Sequence, residues 1–150
     1  VCPALLKRVD IQASKTFDVL SKLERAGSEN FLSDYSILKR KYLNQNMELY
    51  LLVENAVKEC GYGSVKPVVF LYSDKDYCAD CISEGKILDS VRDECPGVRV
   101  FAFPFDLGMP VVDLIKARAS ALSVPAVIYN GEKLEGLSGK DSIKDFVGCA

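Results

Sequence analysis

Three features of the 150-residue sequence predict an α/β protein in which helices cover a mixed sheet and an α-helical hairpin precedes it. Residues 1–62 carry apolar side chains at helical spacing, with no proline after Pro3. Residues 63–150 alternate short apolar runs with amphipathic stretches, in the order βαβαββα. The pair Asn130-Gly131 lies between two strand-like runs, a strong signal for a tight antiparallel turn. The expected organisation is therefore a helical extension over 1–62 and an α/β domain over 63–150, with the boundary within Gly61–Lys66.

Taken in order, Pro3 suits the first turn of a helix whose apolar stripe is Leu6, Val9, Ala13, Phe17, Leu20 and Leu23. "RAGSEN" supplies a glycine stop, followed by Ser28 or Asn30 as a candidate cap. A second stripe runs from Phe31 and Tyr35 to Ala56 and Val57, with "LNQNM" as a weak spot where a helix could kink. "PVVFLY" (67–72) reads as a buried strand, 80–94 as a helix and "VRVFAFP" (98–104) as a second strand. Residues 109–122 are helical in period, "PAVIYN" and "EKLEGL" form the hairpin, and "KDSIKDFVG" closes the chain as a helix.

Composition narrows the chemistry. The formal net charge is −2 with no basic run, which argues against nucleic acid as the main partner. Histidine is absent, which removes imidazole bases, His-containing triads and zinc sites that need imidazole. Six cysteines form an even set compatible with three bridges and an oxidising compartment. No apolar run reaches the ~18 residues of a membrane span. The start at Val1, without Met, suggests a processed piece of a longer protein. The expectation is an extracytoplasmic or membrane-anchored location, with any anchor outside this sequence and a cytoplasmic one still open.

The chemistry concentrates in "SDKDYCADC", residues 73–81, where Cys78 and Cys81 are two residues apart. As half of a zinc site the pair needs two further soft ligands. As a plain staple it closes the shortest and least stabilising of loops. As a redox pair it should follow a strand and open a helix, and here "PVVFLY" precedes it while a helical pattern continues it. Cys78 then sits where unpaired N–H groups favour a thiolate, and Cys81 lies within disulfide reach one turn further in.

The stretch 66–147 resembles the thioredoxin-like superfamily of thiol-disulfide oxidoreductases. "YCADC" after a strand and "SVPAVIYNGEKLEGLSG" near the end carry the resemblance. It implies a cis peptide at Pro125, substrate docking at Val124 and Pro125 with help from Tyr77, and Cys78 as the attacking thiol resolved by Cys81. It implies no organic cofactor, only a redox-active disulfide, with protein dithiols and disulfides as substrates and an unidentified electron partner. The sequence departs from thioredoxin in having Tyr77 for tryptophan, Ala79-Asp80 for Gly-Pro, and Tyr72 where thioredoxin has a buried aspartate. The helical extension has no place in the minimal fold.

A carboxylate such as Asp80 at about 6 Å would cost a Cys78 thiolate roughly 0.7–3 kcal/mol, opposing the helix end. Asp76 and Asp80 are therefore candidate tuning groups that make the pair a reductant or carrier rather than a strong oxidant. The alternative is that they are solvated, with Asp76 capping the helix. The remaining cysteines are candidates for two structural bridges, Cys60–Cys95 and Cys2–Cys149, since the expected topology puts all four at the sheet end opposite the CxxC. Four free thiols are the other option. Two further functions stay open: a binding module working through the helical hairpin, and copper or zinc handling by the CxxC.

Overall fold

The computed structural model describes residues 1–28, 32–62 and 64–149. Among them are five helices and a four-stranded mixed sheet: α1 (Cys2–Ser28), α2 (Leu32–Cys60), β1 (Lys66–Tyr72), α3 (Ala79–Glu94), β2 (Val98–Pro104), α4 (Pro110–Ala119), β3 (Ala126–Tyr129), β4 (Glu132–Glu135) and α5 (Lys140–Phe146). The chain forms two compact units, Val1–Gly63 and Ser64–Ala150. No helix among the described residues is long and apolar enough to cross a membrane.

In the first unit α1 and α2 pack against each other as a hairpin. The buried line on α1 is Leu5, Val9, Gln12, Thr16, Val19, Leu23 and Ala26. Its alternating steps of four and three residues make the seven-residue repeat of two helices in sustained contact. The stripe read from the sequence is thus rotated, and Phe17 is 67% exposed. Polar partners explain the difference. Gln12 Nε2 donates to the Gln45 side-chain oxygen at 2.7 Å and to its backbone oxygen at 3.1 Å, and Thr16 Oγ1 donates to the same backbone oxygen at 3.2 Å. Satisfied in this way, two polar side chains occupy core positions without the cost of unpaired groups. "LNQNM" is no break: α2 runs through it with Asn46 and Met47 buried. Of the candidate caps, Ser28 is the last residue of α1, and Asn30 lies outside the described residues.

In the second unit the strand order is β2-β1-β3-β4, with β1 parallel to β2 and antiparallel to β3. Asn130 and Gly131 take positive φ of 55° and 81°, the turn type their sequence demands between β3 and β4. Residues of β1 alternate between faces. Val68 and Phe70 join Leu88 and Val91 of α3, Val127 of β3 and Ile143 of α5 in one buried cluster. At the end where β1 begins, Lys66 Nζ donates to the carbonyls of Val147 and Gly148 beyond α5, at 2.8 and 3.1 Å.

The bridges correct the expected pairing. Cys2 joins Cys60, and Cys95 joins Cys149, with Cα–Cα distances of 5.6 and 6.2 Å. Neither Cys60–Cys95 nor Cys2–Cys149 forms. Placing all four at one end could not choose between pairings. The antiparallel hairpin brings its own two outer ends together, and α3 and α5 end side by side, linked also by Lys140 and Lys144 on Glu94. Each bridge therefore closes within its own unit.

Candidate functional site

The parallel crossover from β1 to β2 brings the start of α3 back over the carboxyl ends of both strands. Cys78 occupies the N-cap of α3, in extended conformation (φ −132°, ψ 93°), and its Sγ accepts the N–H of Cys81 at 3.1 Å. The sulfur thus takes the place of the usual cap oxygen. Asp76, the cap considered from sequence, stands two residues earlier, and its own N–H donates to Ser73 Oγ at 3.2 Å. Cys78 and Cys81 are joined, with Cα atoms 5.2 Å apart. Cys78 is half-buried while Cys81 is only 6% exposed, so the two sulfurs differ sharply in access.

Two anchors shape the loops around them. The carboxylate of Asp106, just after β2, accepts from Ser73 Oγ at 2.9 Å and from the N–H groups of Asp74 and Lys75 at 2.9 and 3.0 Å. Partial burial would raise its pKa, but these three donors together hold it below the usual carboxylate range. The loop leading into Cys78 is thereby tied to the neighbouring strand end. The second anchor is Glu135 on β4, paired with Lys133 and accepting from Ser123 Oγ at 2.5 Å, which holds its carboxyl down to about 2. It secures the segment entering Val124 and Pro125. The peptide between those residues is cis, and Pro125 O accepts the Gly136 N–H at 2.9 Å.

Because Ala126 pairs with Leu71, this segment reaches the same sheet end as the CxxC loop. Val124 and Cys78 pack on the same buried cluster, and Pro125 is buried. Asp76, Tyr77, Cys78 and Cys81 meet in the wall of one open cavity, while Val124 and Pro125 are not part of that wall. Asp80 is exposed in the first turn of α3.

Sequence reasoning missed Glu84. It is fully buried, on the α3 face that carries Cys81, Leu88 and Val91. Both of its oxygens lie 3.2 Å from the N–H of Ser138, in the β4–α5 segment. Burial raises its pKa, the negative charge of Asp80 adds to this, and the Ser138 N–H opposes it. The signal was present: Glu84 is three residues beyond Cys81 in an otherwise apolar helical line.

Compared with known proteins, the sequence matches no family model and none of the curated proteins.

Proposed function

We propose that the second unit is a thioredoxin-like thiol-disulfide oxidoreductase acting on protein substrates. The observation that carries this reading is the asymmetric pair: a half-buried Cys78 at a helix N-cap, bonded to a buried Cys81. In the reducing direction the Cys78 thiolate attacks one sulfur of a substrate disulfide, forming a mixed disulfide and expelling the other sulfur as a thiolate. Cys81 then gives up its proton and attacks the Cys78 sulfur, which closes the enzyme disulfide and frees the second substrate thiolate. Two electrons pass to the substrate, and a partner dithiol restores the enzyme. Val124, Pro125 and Tyr77 are the docking candidates around the pair. The three bridges support an oxidising, extracytoplasmic setting.

The N–H of Cys81 and the helix end favour a thiolate at Cys78, and the exposed carboxylates of Asp76 and Asp80 oppose it. The balance supports a reductant or carrier. Titration against glutathione, read by alkylation and peptide mass, is expected to give a potential near thioredoxin's, about −270 mV. A value above about −180 mV would make the protein a disulfide donor and overturn that direction.

Glu84 is the proton acceptor this scheme uses for Cys81, one helical turn away on the same buried face. Its raised pKa means that the folded state penalises the charged form. The stability it allows is full below the ordinary value of 4.5 and is lost as pH rises through the raised value. Glu84→Gln keeps an acceptor for the Ser138 N–H and removes that charge. It is expected to melt a few degrees higher than the parent at pH 7, the gap closing by about pH 4. It is also expected to exchange disulfides about 10²-fold more slowly, with a flattened pH profile. A gain in stability without a loss of rate would leave Glu84 a purely structural group.

A further inference from the structure

Beside the redox pair lies an open cavity of about 440 Å³ whose lining includes both Cys78 and Cys81. An occupant would therefore lie against the redox pair. Its apolar wall comes from Phe70 and Tyr72 of β1, Ala102 of β2, and Tyr77 and Ile82 flanking the cysteines. The Phe70 and Tyr72 rings are tilted 35° to each other with centroids 5.9 Å apart. Tyr77 and Ile82 are 81% and 54% exposed, large apolar groups that docking would take out of water. Besides the two tyrosine hydroxyls, polar side chains in the lining come from Ser73, whose hydroxyl is engaged with Asp106, and Asp76.

The rim is acidic. Between Ser73 and Ser83 the charged residues are Asp74, Lys75, Asp76 and Asp80, all exposed. Asp76 and Asp80 form no salt bridge among the described residues. Such a rim attracts a cationic segment and repels an anionic one. The volume exceeds that of one large side chain, leaving room for it together with part of a neighbouring residue.

Building on the thiol-exchange reading, we propose that this cavity is a specificity subsite. It takes the aromatic or large aliphatic side chain next to the reacting cysteine of a protein substrate, with a basic residue beside it on the acidic rim. Glutathione, which has two carboxylates, one ammonium and no large apolar side chain, is a poor partner on both counts.

The test uses the full chain with Cys78 and Cys81 reduced. The probes are homodimeric disulfides of Lys-Phe-Cys, Lys-Ala-Cys and Glu-Phe-Cys amides, and glutathione disulfide. Each exchange converts the enzyme dithiol to its disulfide and one dimer to two thiols, followed by mass. The Lys-Phe-Cys dimer is expected to react about 10–100-fold faster than the Lys-Ala-Cys dimer, and faster than the Glu-Phe-Cys dimer and glutathione disulfide. Ala102→Leu, which fills the cavity from β2, is expected to shrink the Phe-over-Ala preference, and Asp76→Lys to invert the Lys-over-Glu preference. Equal rate constants for all four probes on the parent protein would overturn the subsite while leaving thiol exchange standing. No exchange with any probe would overturn both.

Discussion

A Cys81→Ser variant is expected to attack substrate disulfides and then stall, accumulating a covalent enzyme–substrate adduct that a reductant releases. Cys78→Ser is expected to form no adduct and to show only background exchange. The reason is access. Cys78 is half-buried and sits at the N-terminus of α3, where the Cys81 N–H points at its sulfur, whereas Cys81 is 6% exposed behind it. A substrate sulfur can therefore reach Cys78, and only Cys78 is within reach of Cys81. Non-reducing electrophoresis and intact mass measure the outcome, with substrate-sized adducts on one variant alone. Adducts on Cys78→Ser instead would reverse the roles. Unchanged turnover in both variants would move the function away from the CxxC, towards partner binding through the helical hairpin or towards soft-metal handling.

The strands and helices around this pair were legible because their signals are local. The run "PVVFLY" is short, apolar and rich in β-branched and aromatic residues, as buried strands are, and Asn130-Gly131 suits the positive φ that both residues adopt. The helix after Cys78 announces itself by its period. What was not legible depends on partners far away in sequence. Gln12 and Thr16 look like surface residues until Gln45, 33 and 29 positions later, satisfies them, so the sequence alone runs the apolar stripe through Phe17. Glu84 stands in line with Cys81, Leu88 and Val91, but what lets a carboxylate stay there is the Ser138 N–H, 54 positions later. Asp106 looks like an ordinary loop carboxylate, yet it fixes the loop that presents Cys78. Polar residues in cores and loops carry no periodic signature of their own.

The bridge pairing gives the second large effect. The Cys2–Cys60 bridge spans a sequence separation of 58, and in the chain-entropy account its loss costs about 4 kcal/mol. The first unit is a pair of helices of 27 and 29 residues, with a polar layer where a hydrophobic one would add stability. A unit this small has little core to spare, so Cys2→Ser/Cys60→Ser is expected to lose most of its α1 and α2 helicity by circular dichroism at 37 °C. The Cys95–Cys149 bridge spans 54 and is worth about as much in the unfolded chain. The second unit has further ties holding the same region: Glu94 to Lys140 and Lys144, Lys66 of β1 to the carbonyls beyond α5, and a shared cluster of buried side chains. Cys95→Ala/Cys149→Ala is therefore expected to melt lower yet keep its sheet and its CxxC exchange. Tryptic mapping of the unreduced parent should yield Cys2 linked to Cys60 and Cys95 linked to Cys149. Recovery of Cys60 linked to Cys95 would overturn this account, because a cross-link between the units would make the loss of either cysteine act on both at once.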